Sequence, residues 1–138
     1  MLGKYCQEVR MRIRVLVENT TQSDHYQCEP GLSLYIETKQ HKILFDVGTT
    51  ASFIENAKKM KIDLTKVDSV FISHGHNDHG GGLGAFLEMN QKAKIYISKR
   101  AFGEYYSFRK NTKNVYIGLN PSLSNNEQVI FVSGDLTH

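Results

Sequence analysis

The sequence predicts an α/β fold in which helices cover one face of a mixed β-sheet, and three observations support this prediction. Segments with strand periodicity alternate with helical segments, in the order β-hairpin, α, β, α, β and then further strands. Hydrophobic residues make up 40% of the chain and charged residues 22%, which is ordinary for a globular protein. A length of 138 residues fits one domain with a sizeable core. Since no repeat or linker divides the chain, we assign one domain to residues 11–138 and an extension to residues 1–10.

The first predicted elements are three strands. Polar and apolar side chains alternate over residues 12–17 and again over residues 32–37, which is typical of strands with one buried face. Residues 39–42 have the composition of a turn and lead into a short apolar strand at residues 43–45. The second and third strands therefore form a hairpin, and the polar residues 19–30 form a loop before it.

The elements that follow alternate between helix and strand. The spacing of apolar residues predicts a helix over residues 51–61, which Thr50 would cap. Residues 67–72 form a short, mostly apolar run, which is typical of a strand covered on both faces. The remaining predicted elements are a helix at 83–89, a strand at 94–98, a short helix or aromatic loop at 100–108, and strands at 115–117 and 128–132. The aromatic residues 105–108 would either line a substrate pocket or pack in the core.

Three of the six histidines lie within six residues, in the segment Ser73-His74-Gly75-His76-Asn77-Asp78-His79, which three glycines follow. Neutral imidazoles and a carboxylate are ligands for zinc, iron or manganese. In an extended chain His74 and His76 point the same way and can share one ion, while the turn that follows can direct Asp78 and His79 at a neighbouring ion. The glycines allow tight turns and a close approach of the backbone. The alternative is a loop of solvated histidines that chelates metal adventitiously, which the position after an apolar strand disfavours.

Residues 71–83, which contain this motif, resemble the signature of the metallo-β-lactamase superfamily. Residues 44–49 resemble the strand of that family that ends in Asp-x-Gly, and residues 15–19 and 31–37 resemble one branch, the proteins similar to dihydropterin-linked ribofuranosylaminobenzene phosphate synthases. The resemblance implies an αββα sandwich, two β-sheets between helices, with one or two metal ions at one edge. It also implies hydrolysis of an ester, amide or phosphodiester by a metal-bound hydroxide, with no indication of the substrate.

The same resemblance implies a role for each residue of the motif. His74 and His76 would bind a first metal ion and Asp78 and His79 a second, in the first place zinc, with iron or manganese as alternatives. Asp78 would also act as a catalytic residue by orienting the attacking water. Asp46 would orient the ligands from behind. The alternative for Asp46 is a strand-end residue that caps a turn.

Members of the superfamily are about twice as long as this chain, so the resemblance predicts the N-terminal half of the fold, truncated before the later metal ligands. Each ion would then receive two ligands, whereas a catalytic zinc takes three. His138 would be either a third ligand or a frayed terminal residue. Other candidates for the missing ligand are His25, Glu29, Asp46 and Asp135, and none has a spacing that requires this role.

Two classes of function follow from these expectations. The first is a metal-dependent hydrolase that acts on a small-molecule substrate. The second is a catalytically incompetent half-domain or remnant, which binds metal weakly and associates with itself or with a partner that supplies a missing C-terminal half. A net charge of +3, spread along the chain, disfavours a nucleic-acid partner. The apolar runs are too short for a membrane span, and two cysteines, Cys6 and Cys28, favour a cytoplasmic protein without a disulfide framework.

Overall fold

A computed structural model describes residues 10–108 and 115–133. The strands in these residues are β1 (Arg12–Val17), β2 (Ser33–Glu37), β3 (Lys42–Phe45), β4 (Ser69–Ile72), β5 (Lys94–Ser98), β6 (Tyr106–Ser107), β7 (Val115–Tyr116) and β8 (Val129–Val132). The helices are α1 (Ser52–Lys59), α2 (Asn77–Gly80) and α3 (Leu83–Met89), with short 3₁₀ turns at Leu64–Lys66, Lys99–Phe102 and Pro121–Asn125.

Six of the strands form one mixed sheet in the order β1-β2-β3-β4-β5-β8. The pairs β1–β2 and β2–β3 are antiparallel, whereas β3, β4, β5 and β8 run parallel to one another. This arrangement confirms the predicted α/β fold with a mixed sheet. Because parallel strands end at the same edge of a sheet, the residues that follow β3 and β4 are brought together there.

One face of the sheet carries the helices and the core. Side chains that alternate along the strands, such as Leu44, Val70 and Ile95, point to this face and are fully buried. Phe53 of α1 and Phe86 of α3 lie in the same buried cluster. Burial of each such side chain contributes about 1.5–3 kcal/mol to the stability of the fold. The apolar residues whose spacing predicted the two helices therefore also hold them against this face of the sheet.

Helix α1 begins without the predicted cap. The residue at the N-cap position is Ala51 and makes no side-chain hydrogen bond, so the prediction of Thr50 as the cap is wrong. The Thr50 hydroxyl still accepts a hydrogen bond from the amide of Ser52 at 3.2 Å. Glu29 lies beside the turn that precedes α1, and its Oε1 accepts hydrogen bonds from the amides of Thr49 and Thr50. A distant carboxylate thus satisfies the amides of the turn that precedes α1, while Thr50 bonds the amide of Ser52 from outside the N-cap position.

The opposite face of the sheet, which we call the open face, is apolar and accessible in the described residues. Its register pairs Val15 with Leu34, Leu34 with Phe45, and Phe45 with Phe71 across four neighbouring strands. Val15 is 44% exposed and Phe71 40%. The prediction that residues 67–72 form a strand covered on both faces is therefore wrong, since an apolar run does not show which face has a covering layer.

A short ribbon of strands β6 and β7 stands apart from the main sheet. It contains Tyr106, Val115 and Tyr116, and Phe108 follows β6. All four side chains are exposed, Phe108 by 81%. Of the two alternatives for residues 105–108, core packing is thus wrong for Tyr106 and Phe108, which lie on the surface of the ribbon.

Several expectations concern residues outside the described ranges. The extension at residues 1–10 falls there except for Arg10, and so do Cys6, Asp135 and His138. Cys28 is described, and it is exposed with a free thiol. Within the described residues, the helices are too short and too polar to cross a lipid bilayer.

Candidate metal centre

The histidine motif begins where strand β4 ends, at the edge of the sheet to which β3 also leads. His76 has an extended backbone and precedes the single helical turn α2, which contains Asp78 and His79. The chain bends at His74 and Gly75, is extended at His76 and then enters the helical turn. This geometry places the first two histidines on the bent segment after β4 and the last two candidate ligands on a helical turn.

Backbone hydrogen bonds from three separate segments hold the motif in place. The amide of Leu32 donates to the carbonyl of Asp78 at 3.3 Å, and the amide of Val47 donates to the carbonyl of His79 at 2.8 Å. On the other side, the amide of Asn77 donates to the carbonyl of Ile117 at 2.7 Å. The candidate ligands thus stand on a loop that is fixed to the β1–β2 connection, to the end of β3 and to the β6–β7 ribbon.

The glycines around the motif allow close contact between backbones. A methyl group on Gly75 would meet the carbonyl oxygen of Ala101, and one on Gly81 would meet those of Asn77 and Thr49. Gly31 has a φ of 127°, and a methyl there would meet the carbonyl of Asp78. Close approach is therefore the role of Gly75 and Gly81, whose φ values are not positive, and the left-handed conformation is required at Gly31.

The candidate ligand atoms converge on one point. Ligand atoms of His74, His76 and Asp78 all lie within 4.8 Å of one another. His79 is adjacent, with its Nε2 3.7 Å from Asp78 Oδ2 and its ring centroid 4.3 Å from that of His74. All four residues that the sequence singled out are thus brought together. Asp78 is close enough to the first two histidines to complete a three-donor set with them.

This donor set fits a divalent transition metal. Zinc–ligand bonds of 2.0–2.1 Å in a tetrahedron separate the ligand atoms by about 3.4 Å, so small side-chain rotations would bring the three groups into range. Two imidazoles and a carboxylate suit zinc, iron and manganese alike. Three protein ligands are also the number that a catalytic zinc takes, so His74, His76 and Asp78 can together supply a full set for one ion.

Asp46 lies behind the ligands, fully buried, at the end of β3. Its backbone φ is 57°, a left-handed conformation that aspartate tolerates better than most residues. Oδ2 accepts hydrogen bonds from His79 Nδ1 at 2.8 Å and from the Ser73 hydroxyl at 2.6 Å, and Oδ1 accepts one from the Ser73 amide at 2.7 Å. Asp46 thus joins the end of β3 to the motif, which is more than the alternative role of capping a local turn.

The pKa of His74 is lowered from its ordinary value. Partial burial is the main cause, and the neighbouring rings of His79 and His76 add to it, while Asp46 and Asp78 act in the opposite direction. A lowered pKa keeps this imidazole neutral at pH 7, which is the form that binds a metal ion.

A cleft of about 390 Å³ opens beside the candidate ligands. It is lined by Glu29, Pro30, Thr49, His76, Asn77, Asp78 and Ile117. The ring of Tyr105 packs edge-on against His76, with centroids 5.5 Å apart. A substrate in this cleft would lie between the candidate metal ligands and the β6–β7 ribbon. Tyr105 is thus the residue of the aromatic stretch that lies next to the site.

The other candidates for a third ligand have different places. Glu29 lines the cleft, but its carboxylate accepts hydrogen bonds from the hydroxyls of Thr50 and Ser52 as well as from two amides. His25 is exposed in the polar loop before β2. Sequence reasoning included Ser73 in the motif but gave it no role. Its position directly between strand β4 and the first histidine was the available signal.

Comparison with known proteins gives a consistent picture. Residues 26–134 match the family described as the Metallo-beta-lactamase superfamily. Among solved structures, Tm1679, a metal-dependent hydrolase of the beta-lactamase superfamily, superposes with a TM-score of 0.68 and 32% sequence identity. The match covers 93% of this chain and 44% of that one.

Two curated relatives are similar over shorter or more divergent stretches. The anaerobic nitric oxide reductase flavorubredoxin of Aliivibrio salmonicida is 28% identical over 122 residues, which is 86% of this chain and 23% of the relative. The 7,8-dihydropterin-6-methyl-4-(beta-D-ribofuranosyl)-aminobenzene-5'-phosphate synthase of Methanocaldococcus jannaschii is 36% identical over 78 residues, or 52% of this chain and 26% of the relative. The resemblance to that branch is confirmed. The chain spans less than half the length of each of these three proteins.

Proposed function

We propose that this chain, which belongs to the metallo-beta-lactamase superfamily, is the part of a metal-dependent hydrolase that carries the first metal ligands and one wall of the active site. The observation that supports this most directly is the convergence of His74, His76 and Asp78 at the edge of the sheet. The similarity to Tm1679, described as a metal-dependent hydrolase, agrees with it. The substrate is a small molecule with a carbonyl or phosphoryl group that enters the cleft beside Asp78.

In this proposal His74, His76 and Asp78 hold one ion, and His79 with Asp78 extends the site toward a second. Held by these residues, a zinc ion would supply Lewis-acid chemistry, which lowers the pKa of water toward ~7 and polarises the oxygen of the substrate. Asp78 would also orient the attacking water by accepting a hydrogen bond from it. Asp46 fixes the ring of His79 through Nδ1. Tyr105 packs edge-on against His76 and shields that side of its ring from water.

Removal of the metal tests this function. We expect the longest natural form of the protein to hydrolyse at least one member of a panel of esters, thioesters, lactones and phosphodiesters. We expect a chelator to abolish this activity and added zinc, iron or manganese to restore it, because the donor set suits these ions. Rates before and after treatment are the measurement. Hydrolysis that survives complete metal removal would overturn the proposal.

Electron transfer is a second candidate, which the similarity to a flavorubredoxin favours. The same histidine and carboxylate donors suit iron. Metal analysis of protein purified without added metal separates the two candidates, combined with assays of hydrolysis and of nitric oxide reduction. Iron with reductase activity and no hydrolysis would favour the second candidate, and hydrolysis with zinc the first.

The open face supports a separate proposal about association. It includes the exposed Val15, Phe71 and Ile130 on three strands of one sheet. A contiguous apolar surface of this extent is uncommon on monomeric proteins. We infer that a second copy covers this face when the 138-residue chain is produced alone, since two such faces bury apolar surface against each other.

We expect light scattering at micromolar concentration to show a species larger than the 15.7 kDa monomer. Replacement of Val15, Phe71 and Ile130 together by threonine should shift the equilibrium toward the monomer. Threonine retains strand propensity but makes the open face less apolar. Val115→Thr is the matched control, since Val115 is exposed on the β6–β7 ribbon away from the open face. A wild-type monomer with a cooperative melt would contradict the inference.

A further inference from the structure

We propose that Ser73 is a positioning residue of the metal centre, whose hydroxyl fixes His74 in the tautomer with a free Nε2. The proposal rests on the proposed function only in treating His74 as a metal ligand. It is carried by a continuous chain of hydrogen-bond contacts from His74 through Ser73 and Asp46 to His79. This series of hydrogen bonds links His74, at the start of the motif, to His79, at its end.

Asp46 sets the direction of every hydrogen bond in this chain. A carboxylate offers acceptors only, so its three partners must all be donors. The Ser73 hydroxyl lies 2.6 Å from Asp46 Oδ2 and donates its single proton to a hydrogen bond with that oxygen. His79 Nδ1 lies 2.8 Å from the same oxygen and therefore carries a proton. A neutral His79 then has its lone pair on Nε2.

The same logic fixes His74. Its Nδ1 lies 2.8 Å from the Ser73 oxygen. Because the hydroxyl proton already points to Asp46, Ser73 can only accept a hydrogen bond from His74. Nδ1 of His74 must then be the protonated nitrogen, which leaves Nε2 unprotonated. Asp46 fixes the tautomer of His79 by direct contact. Through the Ser73 hydroxyl it also fixes the tautomer of His74, which it does not contact itself.

The structure allows the hydroxyl to be tested apart from the backbone. The Ser73 amide donates to Asp46 Oδ1 at 2.7 Å, independently of the side chain. Ser73→Ala removes the link to His74 and leaves this anchor, while Ser73→Thr retains a hydroxyl. His79 is an internal control, since its bond to Asp46 is direct.

Histidine tautomers can be read by ¹⁵N NMR after selective labelling of the six histidines. In the metal-free wild-type chain near pH 8, we expect His74 and His79 both to be protonated on Nδ1. In Ser73→Ala, His74 should lose this preference while His79 keeps it, and Ser73→Thr should match the wild type. A wild-type His74 protonated on Nε2 would overturn the proposal without the use of any variant.

Metal affinity gives a second readout that does not depend on turnover. We expect Ser73→Ala to weaken zinc binding by about 10- to 100-fold, the usual effect of losing a partner that orients a ligand. Ser73→Thr should stay close to the wild type. Unchanged affinity and an unchanged His74 tautomer in Ser73→Ala would show that the hydroxyl has no positioning role. Because both readouts use binding and spectroscopy, they stand even if the hydrolase assignment fails.

Discussion

Replacement of His76 by alanine should reduce turnover in the longest natural form of the protein to the level of the uncatalysed reaction. His76 contributes a ligand atom to the converging set, lines the cleft and packs against Tyr105. Its loss leaves two donors, His74 and Asp78, where a catalytic zinc takes three. The measurements are hydrolysis rates and metal content after dialysis, and both should fall together.

His41→Ala is the matched control for this variant. His41 is an exposed histidine in the β2–β3 turn, at the opposite end of β3 from the motif, and its Nδ1 lies 3.3 Å from Asp68 Oδ1. We expect its replacement to leave metal content and turnover unchanged. If His76→Ala retained wild-type rates against every substrate of the panel, His76 would have no part in catalysis and the metal centre would have to be sought elsewhere.

A methyl group at Gly81 should strongly destabilise the fold around the histidine motif. The backbone of Gly81 has φ −63° and ψ −30°, which alanine adopts readily. The new methyl would nevertheless collide with the carbonyl oxygens of Asn77 and Thr49. Backbone atoms on two sides cannot rotate away as a side chain can, so we expect a loss of about 3 kcal/mol in the free energy of unfolding.

Gly84→Ala provides the comparison, only three residues further along. Gly84 lies in α3, and a methyl there meets no atom within 4 Å. Since alanine is the better helix former by up to about 1 kcal/mol, this variant should be as stable as the wild type or more stable. Denaturant midpoints of the two variants decide the matter. Equal midpoints would mean that the loop around Gly81 yields freely and that the motif is not rigidly packed.

The sequence predicted the elements whose pattern is local. Alternation over residues 12–17 and 32–37 corresponds to β1 and β2, and the apolar spacing over 83–89 corresponds to α3. The histidine motif likewise needed only its own residues, because His74, His76 and Asp78 are close in sequence as well as in space. Local periodicity and short spacing were sufficient in these cases.

Local patterns did not predict the features that depend on distant contacts, and the place of Asp46 beside His79 was expected only from the resemblance to the family. The amides before α1 bond to Glu29, some twenty residues away, which no local capping rule could show. The exposure of Phe71 depends on whether a second layer covers the sheet, and strand periodicity carries no such information. Nothing in the local sequence pattern indicated that Ser73 contacts a ligand. Its relation to His74 became visible only when Asp46 was placed beneath both residues.

The left-handed backbone of Asp46 has a consequence for which amino acids this position can accept. The conformation admits glycine, asparagine and aspartate readily, and disfavours longer or branched residues. A carboxylate at this position accepts from the amide and hydroxyl of Ser73 and keeps the proton of His79 on Nδ1, whereas the NH₂ group of asparagine would require Nδ1 of His79 to accept instead. Glutamate meets the second requirement but not the first, and asparagine meets the first but not the second. Of the twenty amino acids, aspartate alone satisfies both.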